Sequence, residues 1–526
     1  MGNINSLALE RYGLSSFDSA WGQVVRGIEK ECLRVTPDCS LSKKPHPKAL
    51  GSPLTNPFIT TDFSEALLEF ITPTYSNIEE CLEMLDLIHC FSAQNIEQNE
   101  TLWSTSMPCR LGLSSEIPIA NYGNSNNGLL KTLYRKGLSN RYGSIMQTVA
   151  GIHYNFSMPE SFWIPFQTQR GEKGSLQDFK TKSYLNLIRN FHRFSWLLIY
   201  LFGASPAADR TFVESRQNTL ETFDKDTVFL PFATCLRMGR LGYKSEAQQS
   251  LFICYNDLQS YVDCLREAMK TPYPAYQEIS QGSNGNVGQI NANLLQLENE
   301  FYSSIRPKRT TIDDRRPLEA LLQEGIEYIE IRSLDLNPYL PLGIDAEQCR
   351  FLDTFLLHCL LADSPECNAD EFFEVAANVT KVVERGRVPG LNLMRQGAEK
   401  SLNIWSKELL TDMQNAALLL DDSGNKGCYD LAIQAQLKKI DNPELTPSGK
   451  IMSEINQSRQ SFIEIAHQQS KTHTSYFLNK TVGAEKHEKM KAAALTSISK
   501  QKQIEALTQP HFNDFLSQWN AHLEAP

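Results

Sequence analysis

The sequence has no excess of basic residues, no long apolar run, no paired cysteines and no glycine-rich nucleotide fingerprint, and each absence removes a class of function. Lys plus Arg number 51 against 61 Asp plus Glu, a formal charge of −10. A protein whose main partner is nucleic acid normally carries a basic surplus to meet the phosphate backbone, so that class is set aside. The longest apolar stretch, Trp196 to Ala204, has about half the length that a helix needs to span a bilayer. The N-terminus lacks the basic and apolar regions of a secretory signal. The twelve cysteines include no C-x-x-C pair, which argues against zinc and disulfides and for free thiols in a reducing cytosol. Neither G-x-G-x-x-G nor G-x-x-x-x-G-K-[ST] occurs, so Rossmann and P-loop architectures are disfavoured.

What is present is a set of short charged segments separated by helical ones. Periodicity predicts amphipathic helices over Ile78 to Phe91 and Leu258 to Met269, and a buried helix over Lys182 to Phe202, ended by Gly203 and Pro206. Another is predicted from Asp345, an N-cap with Gln348 three residues on. From about Asp370 the chain reads as mainly helical and more polar, and the lysines between 480 and 502 read as a solvated helix face. Irregular alternation of strands and helices indicates an α+β fold with a largely antiparallel sheet.

Three strand-like segments carry polar pairs at i, i+2, which share one face of a strand. They are Glu29 with Glu31 in GIEKECLRV, His153 with Asn155 in GIHYNFS, and Glu330 with Arg332 in GIEYIEIRSLDL. Taken alone, Glu29 and Glu31 also suit a solvated edge strand. Glu330 and Arg332 share their predicted face with Ile326, Tyr328 and Leu334, so they must be paired or bound to something; a purely structural ion pair is the competing view. Asp62 and Glu69 bracket a piece that periodicity leaves open between helix and strand. Carboxylates with one histidine offer hard ligands to Mg²⁺, and phosphoryl transfer asks for charge neutralisation more than covalent chemistry. Paired carboxylates also suit glycoside hydrolysis, which needs no basic cluster. A basic cluster exists: Arg306, Lys308 and Arg309 in IRPKR, expected as a loop that clamps nucleotide phosphates, joined by Arg237 and by Arg135 with Lys136. Ordinary surface charge is the alternative for IRPKR. The segment QGSNGNVGQINAN reads as a turn.

Assembled, these segments resemble the glutamate–cysteine ligases (γ-glutamylcysteine synthetases) of the proteobacterial type. The likeness lies in RGIEKECLRV, HPKALGSPLTNPFITTDFSEALLEFITP, KTLYRKGLSNRYGSIMQTVAGIHYNFSMP, LENEFYSSIRPKR and EGIEYIEIRSLDLNPYLPLGID, in order from about residue 20 to 400. It fades in the last 120 or so residues. The resemblance implies a catalytic body over 1–400 and a mainly helical region over 401–526 packed on it. It implies a glutamine synthetase-like cup, in which a curved antiparallel sheet is surrounded by helices.

The activity implied is ATP-dependent joining of the L-glutamate γ-carboxylate to the L-cysteine amine through a γ-glutamyl phosphate, in a cytoplasmic monomer. Mg²⁺ is the expected cofactor, with Mn²⁺ as an alternative. By the same resemblance Glu31, Asp62 and Glu69 hold one metal, and Glu29, His153 and Glu330 hold the one that bridges nucleotide phosphates. Phe63, Tyr134, Leu138, Gln147, Tyr243 and Tyr302 look like the cysteine pocket. Arg135, Arg237 and Arg332 look placed for the glutamate carboxylates and the transferred phosphoryl group, with Arg332, Glu330 and Arg237 as the catalytic set. A bifunctional glutathione synthetase is disfavoured, since no long extra ATP-binding module follows the matching block. Cys32 faces away from Glu29 and Glu31 and is expected to pack in the core.

Overall fold

A computed structural model describes residues 2–521, save 215, 243, 244, 250, 281–286, 312–314 and 426. Its strands in chain order begin with β1 (Val25–Val35), β2 (Ile59–Thr61), β3 (Leu67–Ile71), β4 (Thr101–Leu102) and β5 (Ile152–Ser157). They continue with β6 (Ala207–Asp209), β7 (Glu221–Thr222), β8 (Thr227–Phe229), β9 (Ile305–Lys308), β10 (Tyr328–Leu334), β11 (Asn392–Arg395) and β12 (Ala398–Ser401). The main sheet runs β2-β3-β1-β5-β10-β9, with β4 paired to β1. Every pairing in it is antiparallel. The expected α+β class with an antiparallel sheet is therefore what this chain forms.

Strand alternation gives the sheet two unlike faces. Ile28, Cys32, Leu68, Phe70, Ile152, Tyr154, Phe156, Ile329 and Ile331 are buried on one of them. Helices Ile78–Asn95, Leu176–Phe202 and Ala346–Leu361 cover that face. Three cations on β1 point the same way and are each met there. Arg26 pairs with Asp353 at 3.0 Å and Arg34 with Glu100 at 2.8 Å. Lys30 Nζ lies 2.9 Å from His89 Nε2. Cys32 is 1% exposed with its thiol directed at the Trp103 carbonyl, as expected, and burial pushes that thiol up to about 11.

The predicted helices form, and Asp345 caps Ala346–Leu361 by accepting from Gln348 N–H at 2.8 Å. Beyond residue 401 the chain is helical, and residues such as Leu410, Ile433, Ile455 and Phe477 join the same continuous core as the sheet. All twelve cysteines are free thiols. Among the described residues no helix is long and apolar enough to cross a membrane.

Candidate active site

The second face of the sheet gathers the charged residues, and the register explains how. Glu29 lies opposite His153 and Glu31 opposite Glu69, while Thr60 lies opposite Glu69 on the other side. Glu330 stands opposite both Asn155 and Arg306, and Tyr328 opposite Lys308. Directly opposed residues in an antiparallel pair present side chains to the same face, so six strands place their polar groups together. Glu29, Glu31, Thr60, Glu69, His153, Arg306, Lys308 and Glu330 line a cavity of about 500 Å³ with Asp62, Phe63, Tyr134, Arg135, Leu138, Gln147, Arg237, Tyr302 and Arg332.

Two local expectations are corrected here. IRPKR is not a loop: Ile305 to Lys308 is strand β9, and alternation turns Arg306 and Lys308 inward. Arg309 is left outside the cavity, where its Nε donates to the Gly325 carbonyl at 2.6 Å and its Nη1 pairs with Glu324 at 3.2 Å. Leu334 does not share a face with Glu330. The β5–β10 register slips between Ile331 and Leu334, so Arg332 and Ser333 together oppose His153 and Leu334 returns to the buried face opposite Ile152. Such a bulge re-aims a side chain, and Arg332 Nη1 comes to 3.5 Å from His153 Nδ1. Asp62, whose geometry the sequence leaves open, sits in the turn between β2 and β3, closed by its N–H donating to the Leu67 carbonyl at 3.0 Å.

His153 is the hub of the carboxylates. Its Nδ1 lies 3.1 Å from Glu29 Oε2 and 3.8 Å from Glu330 Oε1, and its Nε2 lies 3.5 Å from Glu31 Oε1. Ligand atoms of Glu29, Glu69 and His153 all fall within 4.8 Å of one another, a set that takes members from both expected metal groups. Burial pushes Glu69 well above the usual carboxylate range, and the charges of Glu29, Asp62 and Glu31 push it further. Glu31 is raised by burial and by Asp62. Glu330 goes the other way: burial opposes its charge, yet Lys308 at 3.6 Å, Arg332 at 3.3 Å and His153 hold it well below the usual range. Carboxylates that cannot all ionise side by side, on hard oxygens, are a donor set suited to a divalent cation. Asn155 Oδ1 is buried without a hydrogen-bond partner among the described residues, and Glu330 Oε2 meets Arg332 Nη1 as an ion pair at 3.3 Å.

The remaining expected residues divide by wall. Phe63, Leu138 and Tyr134 make an apolar side, and Gln147 Nε2 donates to Tyr302 Oη at 3.1 Å. Tyr243 lies outside the described residues. Arg135 donates through Nε to the Asp62 carbonyl and lies over the Tyr122 ring at 4.5 Å. Arg237 is clamped. Its Nε donates to Asp335 at 2.8 Å and its Nη2 to the Leu334 carbonyl at 2.8 Å, while a Cβ at Gly151 would meet its Nη1 at 2.8 Å. Sequence reasoning missed Asp335, whose only signal is an acid inside the apolar run SLDL, and it missed Thr60, Tyr122 and Asn299 of the lining.

Comparison with known proteins agrees with this geometry. The family model for glutamate–cysteine ligase matches residues 13–382. The glutamate–cysteine ligase of Pseudomonas fluorescens is 46% identical over 516 residues, 98% of this chain and 96% of that protein. That of Azotobacter vinelandii is 45% identical over 527 residues, covering 100% and 99% of the two chains. The alignments with these relatives extend past residue 400, whereas the family model ends at residue 382. A crystal structure of the Francisella tularensis glutamate–cysteine ligase in complex with AMP superposes with a TM-score of 0.89 at 34% identity, covering 95% of this chain and 98% of that one. A bifunctional glutathione synthetase from Pasteurella multocida shares the fold, with a TM-score of 0.73 at 23% identity over 95% of this chain and 58% of that one. With the family model over most of its length and relatives matched end to end, the chain belongs to the glutamate–cysteine ligase family.

Proposed function

We propose that this carbon–nitrogen ligase joins L-glutamate to L-cysteine in the sheet-face cavity at the expense of ATP, the first step of glutathione biosynthesis. The observation that carries the reading is the convergence of Glu29, Glu31, Glu69, His153 and Glu330 with Arg306, Lys308 and Arg332 in one chamber. AMP in the Francisella tularensis relative supports a nucleotide site in this chain too.

In this reading the glutamate γ-carboxylate oxygen attacks the ATP γ-phosphorus, the bond to the β-phosphate oxygen breaks, and ADP leaves γ-glutamyl phosphate behind. The cysteine amine then attacks the acyl carbon, its proton passes to the phosphate, and the acyl carbon–oxygen bond breaks to release inorganic phosphate. Arg332, on the face of Glu330, faces the transferred phosphoryl group, and Arg306 and Lys308 meet the nucleotide phosphates. Arg237 and Arg135 receive glutamate carboxylates; the clamp on Arg237 leaves Nη1 as its donor toward the cavity. Phe63, Leu138, Tyr134 and Tyr302 take the thiol side chain, in a wall that leaves a polar competitor unpaired, and Tyr243 is assigned to the same pocket by the family resemblance alone. Mg²⁺, or Mn²⁺ in its place, would be held by Glu29, Glu31, Asp62, Glu69, His153 and Glu330, and when bound supplies charge neutralisation for phosphoryl transfer. The reading also takes the sheet as the glutamine synthetase-like cup, residues 1–400 as the catalytic body, 401–526 as its helical C-terminal region, and the protein as a cytoplasmic monomer.

The test is ADP formation by the purified protein with glutamate plus a panel of amines, with and without EDTA. Turnover that requires cysteine, stops with chelator and returns with Mg²⁺ is the expected result. Equal turnover with unrelated amines, or turnover indifferent to chelator, refutes it.

A further inference from the structure

The helix Asn126–Tyr142 supplies Tyr134, Arg135 and Leu138 to the cavity, and the far C-terminal segment grips it from behind. Its Leu130 and Leu133 are buried away from the main core, in a separate cluster with Ile290 and Leu516 that Phe512, Phe515 and Trp519 complete. Leu516 and these aromatics belong to the helix Phe512–Ala521. Tyr134 packs against both this cluster and the main core, so it joins the C-terminal helix to the cavity wall.

Hydrogen bonds bind the same two parts. The first N–H groups of a helix have no partner within it, and here the tail provides one: Asn126 N–H donates to Gln509 Oε1 at 2.6 Å, and Asn126 Nδ2 to the Pro510 carbonyl at 3.0 Å. Just ahead, Asn124 N–H donates to Glu505 Oε1 at 2.8 Å and Gln501 Nε2 to the Tyr122 carbonyl at 3.4 Å. Gly123, at φ +87°, permits the approach, because a Cβ there would collide with Gln501 and Glu505. Thr55 Oγ1 donates to the Ser497 carbonyl at 2.6 Å, and Asn520 Nδ2 reaches the Ile290 carbonyl at 3.3 Å.

We infer that residues 497–521 are a positioning strap that holds Asn126–Tyr142 against the cavity and so sets affinity for the amine acceptor. The inference rests on reading that cavity as the ligase's substrate chamber. Arg306 and Lys308 stand on β9, whereas Tyr134 and Leu138 stand on the strapped helix, so loosening the strap acts first on the acceptor wall. A displacement of about 1 Å at a positioned group costs up to about a hundredfold in rate or binding.

The experiment uses the full chain with Leu516→Asp and with Gln509→Ala, measuring KM for cysteine and for ATP, kcat, and the thermal unfolding midpoint. Leu516→Asp is expected to raise KM for cysteine about tenfold or more, with KM for ATP nearly unchanged and the midpoint held, since the small cluster stands apart from the main core. Leu516→Met restores the wild-type values, and Leu507→Asp, at a position 67% exposed on the same segment, changes nothing. An unaltered KM for cysteine in folded Leu516→Asp overturns the strap. So does a fall in kcat that tracks a lowered midpoint at constant KM, which marks a merely structural role. Wild-type protein without cysteine-dependent turnover refutes the underlying substrate reading instead.

Discussion

Replacing Glu330 by glutamine removes one charge with almost no change of shape, at the point where the two halves of the site meet. The side chain is 1% exposed, 3.6 Å from Lys308 Nζ, 3.3 Å from Arg332 Nη1 and 3.8 Å from His153 Nδ1. Arg306 lies directly across the strand. Loss of the carboxylate leaves Lys308, Arg332 and Arg306 facing one another, and it removes a hard oxygen from the set read as holding the metal. Supporting groups around metal ligands are worth about 10–100-fold in activity or affinity, and a first-sphere oxygen belongs at the upper end of that range. The expected effect is therefore at least about a hundredfold loss in kcat/KM, close to 2.7 kcal/mol of transition-state stabilisation. Breaking a buried ion pair costs about 3–5 kcal/mol of stability when no relief exists; Lys308, 30% exposed, has room to turn toward solvent, so the smaller end applies. The assay is ADP release over a range of Mg²⁺ concentrations, with circular dichroism to establish folding. Activity should fall at saturating Mg²⁺ and its half-saturation should move upward. A folded Glu330→Gln protein within about threefold of wild type, with an unmoved Mg²⁺ dependence, refutes the electrostatic scheme.

Three further outcomes follow from the geometry. Asp335→Ala strands a buried guanidinium whose pair is 2.8 Å long, and should cost about 3–5 kcal/mol in urea unfolding and raise KM for glutamate; Asp335→Asn, which keeps an acceptor for Ala204 N–H and Ser205 Oγ, should cost less. Lys308→Ala should raise KM for ATP about tenfold or more, the worth of a charge-assisted contact, whereas Arg309→Ala, outside the cavity, should leave it unchanged. His358 is buried and hydrogen-bonded to Tyr12 Oη at 2.9 Å, and burial pushes it down to about 4 from 6.5. Between those pH values the unfolded chain holds a proton that the folded chain refuses, so stability is complete above 6.5 and is lost as pH falls toward 4. That loss is up to about 3 kcal/mol, and His358→Gln should show a correspondingly flatter unfolding profile from pH 6.5 to 4.5; parallel profiles for the two proteins count against it.

How much of the site is legible in one sequence depends on the range of the interaction that sets each residue. The pairs Glu29 with Glu31 and His153 with Asn155 follow from strand alternation alone, a rule that acts over two residues, and both fall where expected. Arg306 and Lys308 obey the same rule, but the proline between them and the flanking polar residues read locally as a loop, and only pairing with β10 makes the segment a strand. Asp62 and Glu69 needed the partner strands too, because the six-residue piece between them, Phe63 to Leu68, fits either period. Asp335 was invisible for a different reason. Its role is to hold Arg237, from a segment about a hundred residues away, and nothing near either residue announces the pairing.

The bulge between Ile331 and Leu334 shows why these limits bear on function. Strict alternation already puts Arg332 on the face of Glu330, but it leaves Ser333 in the core and Leu334 pointing into the chamber. One extra residue opposite His153 resolves the conflict: Leu334 returns to the apolar layer at 1% exposure, and the Leu334 and Arg332 carbonyls become acceptors for Arg237 Nη2 at 2.8 and 3.3 Å. The irregularity therefore fixes Arg237 through the backbone it displaces, while Arg332 keeps the face that alternation gives it. Regular pairing through residue 334 would return an apolar side chain to the cavity and withdraw the carbonyls that fix Arg237. An insertion or deletion at Ser333 should consequently abolish binding of glutamate even where the sheet still forms, whereas Ser333→Ala, which keeps the count of residues, should preserve it; isothermal titration with glutamate distinguishes the two, and binding by the deletion variant would refute the role assigned to the bulge.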